Sequence, residues 1–299
     1  MKYVISLAFL SLVACGSVSK PPKATPDQKQ QVQETVAKIR TWAPVCSNGQ
    51  QTKTTDSDKC DDGDFLLFAG LSCLAGEENQ CKYVQESQDT QGRFWRSPLR
   101  IEKDDVNAFS RDMALGLLAY VAKTKDVLAL ERWVDYVKQN NGKMCPLSTD
   151  TRCNSGMGIR TLAKLIGNKI GADVNWGNLG VYNRDAYDAE LYASARYGES
   201  GFPLHLAAVQ ILILEEIGVS NTYWINVARN ALNDRQPGNA FFAHLDKKDD
   251  VAVKLFLEQS PKEEPSIKNQ WSFERVDSEQ AWKNSMGWDL IFLGNLLSR

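Results

Sequence analysis

Apolar residues along this chain recur at helical spacing. In residues 26–42, PDQKQQVQETVAKIRTW, Val32, Val36, Ile39 and Trp42 share one stripe behind a Pro-Asp opening, which predicts an amphipathic helix. The same period predicts helices over 64–76, 79–88, 107–123, 126–140, 156–171, 185–198, 202–218, 221–234, 249–260 and 278–299. Asp126 is placed to cap the helix that follows it. Two-residue alternation is almost absent, and only GRFWRSP at 92–98 reads as locally extended. The expected class is all-α.

These helices are of two kinds. Over 126–140, Leu130, Trp133, Val134 and Val137 make an apolar face with charges opposite, and 221–234 is two-faced as well. By contrast, 64–75, 112–122, 203–217 and 287–297 are apolar nearly all round. A helix with no polar face must be enclosed by other protein or by lipid, and none of these runs reaches the roughly 20 residues that span a bilayer. The economical arrangement is a double layer, apolar helices inside and amphipathic ones outside: an (α/α) toroid of helical hairpins. Pairs 64–76/79–88, 107–123/126–140, 156–171/185–198 and 202–218/221–234 fit that scheme, with 240–247/249–260 and 279–298/26–42 completing about six. An irregular stack of helical repeats is the alternative, but such repeats keep a fixed period and the spacings here vary.

Composition narrows the class without changing it. With 299 residues, 43% hydrophobic and 24% charged, the chain can bury one large core, and no compositional break divides residues 27–299. A formal charge of −2 and the lack of a basic, aromatic-interleaved run exclude nucleic acid as the expected partner.

The N-terminal stretch MKYVISLAFLSLVACGS has one Lys, a short apolar run and Leu-Val-Ala before Cys15, and closely resembles a bacterial lipoprotein signal. The competing reading, a membrane-spanning anchor, fails on length. The resemblance implies that residues 1–14 are removed, that Cys15 carries the lipid, and that the chain is held to a membrane there. Gly16, rather than Asp, after the cysteine leans the same resemblance toward the outer membrane. Residues 15–26 are small, polar and Pro-rich, as suits a flexible tether.

Six cysteines remain: Cys46, Cys60, Cys73, Cys81, Cys145 and Cys153. An even number in an exported chain reads as three disulfides, and pairing in sequence order closes the shortest polar loops, 46–60, 73–81 and 145–153. Zinc spacing is absent, only two His are present, and no cofactor is expected.

Several apolar helices open on polar residues. Asp64 begins DFLLFAGL, Arg111-Asp112 begins RDMALGLL, His205 stands early in PLHLAAVQIL, and Asp289 begins DLIFLGNLL. In an ordered ring such starts share one face, so Asp64, Asp112 and Asp289 are expected to converge on a common mouth, where helix N-termini also favour negative charge. Plain capping explains any one of them equally well, and a His on an apolar face also suits the core. Trp95 beside Arg96, Trp288 beside Asp289, and Trp271, Phe273 and Arg275 add aromatic rings next to charge. That combination suits a poly- or oligosaccharide, whose C–H faces stack on rings while its hydroxyls bond to charged groups. Trp95, Arg96, Arg111, His205 and Trp288 are the expected binding residues. Core packing accounts for Trp133 and Trp282.

FSRDMALG, GRFWRSP, QPGNAFFAHL and SMGWDLIFLGNLL, set among alternating inner and outer helices, resemble the six-hairpin (α/α) toroid superfamily of glycoside hydrolases and polysaccharide lyases. The likeness is architectural, covers about residues 40–299, and carries no catalytic residue over. A hydrolase needs one carboxyl to protonate the glycosidic oxygen and another to activate water or attack directly. Asp64, Asp112 and Asp289 are the expected catalytic carboxyls, with Asp185, Asp188 and Glu190 in reserve. Arg111 beside Asp112 favours the ionised form there and thus a base or binding role. A lyase would instead use Arg96 or Arg111 against an acidic sugar, with His205 or Tyr187 as base. A glycan-binding or structural body without catalysis is the other class. Gly-x-Ser-x-Gly is absent, CNSGMG at 153–158 starts at a cysteine expected in a disulfide, and GADVNWGNLG lacks the Lys of a phosphate loop. DSDKCDDGD at 56–64 is acidic enough for calcium but lacks the spacing of a helix-loop-helix calcium site.

Overall fold

The computed structural model describes residues 24–43, 45–51, 65–103, 109–264 and 288–299. Cys15, Cys60, Asp64, the acidic loop, Trp271, Trp282 and the side chain of Trp288 lie outside the described residues, as do the leader and most of the tether.

The class is all-α. Among the described residues there are twelve α-helices: α1 Pro26–Trp42, α2 Phe65–Leu74, α3 Glu78–Glu86, α4 Arg111–Thr124, α5 Val127–Gln139, α6 Gly156–Ile170, α7 Arg184–Tyr197, α8 Phe202–Glu216, α9 Tyr223–Arg235, α10 Ala240–Leu245, α11 Asp249–Gln259 and α12 Trp288–Leu297. Strand-like pairing among them is limited to isolated bridges, one of which joins Gln88 to Phe94 in the segment read as extended.

Local chemistry explains the helix starts. Thr25 and Gln28 close a reciprocal capping box before Pro26. Asp126 accepts from Ala129 N at 3.0 Å, the cap expected of it, and takes a second bond from the Tyr120 hydroxyl at 2.6 Å. Asn183, Thr222 and Asn239 cap α7, α9 and α10 in the same manner.

The helices that lack a polar face form the interior. Every residue of α2 is buried, and so is α4 from Asp112 to Ala122. Each large apolar side chain enclosed there contributes about 1.5–3 kcal/mol. On two-faced α5, Leu130, Trp133, Val134 and Val137 are buried. Small residues set how closely the inner helices approach. A Cβ on Gly70 would collide with the backbone of Gly116, and one on Gly116 with the Leu66 carbonyl, so α2 and α4 cross in direct backbone contact. Gly294 of α12 leaves room for the side chains of Val36 from α1 and Phe256 from α11, which a Cβ there would meet.

Neighbour relations run α2 to α4, α4 to α8, α8 to α10, α10 to α11, α11 to α12, and α12 back to α2, a closed circuit. Helix α1 packs on α12 and α11; α6 lies on α4 and α5; α7 lies on α8 and α9. Cys73–Cys81 ties α2 to α3 with Cα atoms 4.7 Å apart, and Cys145–Cys153 closes the loop before α6 at 5.3 Å. Cys46 is also disulfide-bonded, to a residue outside those described. Among the described residues no helix is long and apolar enough to cross a membrane.

Candidate functional site

A cleft of about 460 Å³ opens where α4, α6 and α8 begin, with α7 as its side wall. Arg111 and Asp112 enter from α4, Gly156 to Ile159 from α6, Pro203, Leu206, Ala207 and Gln210 from α8, and Glu190 and Ser194 from α7. Arg152 and Tyr182 come from the preceding loops.

The start of α4 leaves its side chains for the cleft. Ser110 is extended, at φ −147° and ψ 174°, yet makes no cap bond to the backbone. Its hydroxyl donates to the Asp112 carboxylate instead. Asp112 is thereby held in a fixed direction at 8% exposure, while Arg111 reaches solvent.

The start of α6 is shaped by its glycines. Ser155 N donates to the Gly142 carbonyl at 3.0 Å, and the Ser155 hydroxyl accepts from Arg160 at 2.9 Å, so it does not cap the helix either. Gly156 has φ +64°, a conformation that side-chain-bearing residues rarely adopt. A Cβ there would stand 3.8 Å from Cδ of Arg111, and one on Gly158 would stand 3.7 Å from Oε2 of Glu190. The Gly-Met-Gly backbone therefore runs between a guanidinium and a carboxyl.

Packing decides which face of α7 meets the cleft. Tyr187, Asp188, Leu191 and Ala195 are buried, leaving Glu190 and Ser194, one turn apart, to face it. Although Glu190 opens to solvent, partial enclosure of its carboxyl raises it above the usual carboxylate range, opposed by a hydrogen bond from Tyr182. The Tyr182 hydroxyl is raised in turn, chiefly by desolvation and then by Glu190. Asp188 has a fold role: it pairs with Arg184 at 2.8 Å and accepts from Thr222 at 2.9 Å, tying α7 to the start of α9. Asp185 is exposed and does not line the cleft.

Other residues singled out in the sequence fall elsewhere. Trp95 is buried, its indole donates to Asp89 at 2.9 Å, and the Arg93 guanidinium lies 3.7 Å over its ring. Half-buried Arg96 follows it, and neither lines the cleft. His205 is fully buried on the far side of α8 from the cleft, 5.8 Å from the Phe241 ring, and burial lowers its pKa to about 3. Asp289 is fully buried in the first turn of α12. Tyr187 is enclosed, its hydroxyl 3.1 Å from Oε1 of Gln210, and burial holds its pKa well above the ordinary value. Of the acidic starts, Asp112 reaches the cleft and Asp289 does not.

Sequence reasoning overlooked Arg152, Tyr182 and Gln210, and it took Glu190 only as a reserve. Gly-x-Gly at 156–158, directly after a disulfide, was the visible signal of an unusual helix start. Among the described residues no cluster of His, Cys, Asp or Glu could hold a metal ion. Compared with known proteins, the chain matches no family model, no curated protein and no solved structure.

Proposed function

We propose that this chain is an envelope lipoprotein, anchored at Cys15, which cleaves a poly- or oligosaccharide with the carboxyls of Asp112 and Glu190. On this reading the closed circuit of helices is the inner ring of an (α/α) toroid. The observation that carries the proposal is that one cleft holds two carboxyls in different surroundings. Glu190 is raised toward the protonated form, as a proton donor to the glycosidic oxygen requires. Asp112, fixed by the Ser110 hydroxyl, is the partner that activates water or attacks. Leu115, Ile159 and Leu206 give the apolar wall on which sugar C–H faces pack. Hydrolysis is preferred to elimination because His205 is enclosed away from the cleft, and the hydroxyls of Tyr182 and Tyr187 are both shifted away from ionisation.

The test is release of reducing ends from envelope and extracellular polysaccharides by the mature chain and by Asp112→Asn, Glu190→Gln and His205→Ala. Turnover lost in the first two and kept in a folded third supports the proposal. Products carrying the ultraviolet absorbance of an unsaturated sugar would replace hydrolysis by elimination. Glycan binding with no turnover in the unaltered chain would move the protein to the noncatalytic class.

A further inference from the structure

Charge inside the cleft is unevenly compensated. Arg111 is exposed and has neither an ion pair nor a hydrogen bond among the described residues. It is the first residue of α4, where a cation opposes the helix dipole, so helix stability does not account for it. Its neighbour Asp112 forms no ion pair with it and is engaged by Ser110. Asp150, which feels the Arg111 charge, is committed to Arg152: one oxygen accepts from Arg152 N at 2.8 Å, and the other from Nε and Nη2 at 2.8 and 2.6 Å. Arg152 is thus charge-paired and held in place at the cleft wall, while Arg111 has no such ion pair among the described residues.

Space and field agree with that imbalance. Gly156 puts bare backbone beside the Arg111 stem, so a ligand group can approach the guanidinium without meeting a side chain. All three helices that begin at the cleft, α4, α6 and α8, lack a side-chain cap, at Ser110, Ser155 and Gly201, as α3 and α11 also do, whereas α1, α5, α7, α9 and α10 have one. The open N–H ends add partial positive charge beside the carboxyls of Asp112 and Glu190, and the cavity with its unpaired guanidinium defines where an anion sits.

We infer that the cleft takes an acidic glycan, whose carboxylate or sulfate is held by Arg111 with Arg152 beside it. This rests on the glycan reading above and adds the substrate class. A planar guanidinium offers two parallel N–H donors to such a group, which a neutral sugar cannot match.

The test is calorimetric titration of the Glu190→Gln chain, chosen to block turnover. Its probes are oligogalacturonate, the methyl ester of oligogalacturonate, and a sulfated and an unsulfated cello-oligosaccharide. The charged member of at least one pair is expected to bind about tenfold more tightly than its neutral partner, the scale of one charge-assisted hydrogen bond. Preference within the first pair alone identifies a carboxylate, and within the second alone a sulfate ester. Arg111→Gln should abolish the preference, Arg111→Lys should keep part of it, and neither should change the melting temperature. Equal binding within both pairs overturns the acidic inference and leaves glycan cleavage standing, as does a preference that survives Arg111→Gln. If no glycan of either pair binds, both readings fall.

Discussion

The carboxyl of Glu190 lies against the backbone of Gly158, where a Cβ would stand 3.7 Å from Oε2. That distance is ordinary van der Waals contact, so a methyl group fits but displaces water from the carboxyl. Gly158→Ala should therefore fold normally and enclose Glu190 further. Its carboxyl, already raised, rises again, and the alkaline limb of the rate profile moves to higher pH. Glu190→Gln should, on the proposed function, lower turnover and leave any residual rate without that limb. A pH–rate profile of the three forms decides it; an unmoved limb in Gly158→Ala would separate Glu190 from the proton donor.

Helices α2 and α4 meet backbone to backbone at Gly70 and Gly116. Alanine at either position must push the helices apart, and overpacking of this kind costs about 1–3 kcal/mol or more. Denaturant midpoints should show Gly116→Ala losing stability at least on that scale, through misfit and not through any change of helix propensity, which alanine improves.

His205 gives the stability curve a defined slope. Its ordinary pKa of 6.5 is lowered to about 3 by burial, so the unfolded chain takes up a proton that the folded chain refuses. The sign follows: the contribution is complete above pH 6.5 and is lost as pH falls from there toward about 3, at about 1.4 kcal/mol per unit. Unfolding at pH 5 should bind one proton that His205→Leu does not. Equal proton uptake by the two forms would place the imidazole in water.

Asp249 works on a neighbouring acidic range. A hydrogen bond with His244, 2.9 Å away, lowers it below the ordinary 3.8 against partial burial. Its stabilisation is present above that value and disappears as pH falls through the lower folded pKa. In chemical denaturation between pH 5 and pH 3, Asp249→Asn should show a shallower acid loss than the unaltered chain.

The Cys145–Cys153 bridge holds the loop that carries Arg152 and leads into Gly156. Opening an eight-residue separation costs about 2–3 kcal/mol of chain order. A Cys145→Ser/Cys153→Ser form should melt lower and, on the proposed function, lose glycan turnover more than it loses helix content by circular dichroism. Retained turnover would show that the cleft does not depend on this loop.

The sequence by itself determined the helices and made the two observed bridges the expected pairs, because the signals for both are local. A stripe such as Val32, Val36 and Ile39, or a cap such as Asp126 before Val127, depends on residues within a turn or two. Cys73 and Cys81 are joined by the shortest loop open to them, as are Cys145 and Cys153. The surround of apolar residues on α2 and α4 likewise dictated burial wherever those helices lie. Which helix starts meet was decided by the tertiary structure alone. An acid in the first turn satisfies the helix dipole whether it faces a cleft or the core, so Asp112 and Asp289 carry the same local signature and end in different places. Glu190 faces the cleft because Tyr187, Leu191 and Ala195 are claimed by the core on the adjoining face of α7, and while its partner Tyr182 comes from the loop just before that helix, Gly158 comes from α6. Convergence of that kind is a property of packed surfaces, and no periodicity within one segment encodes it.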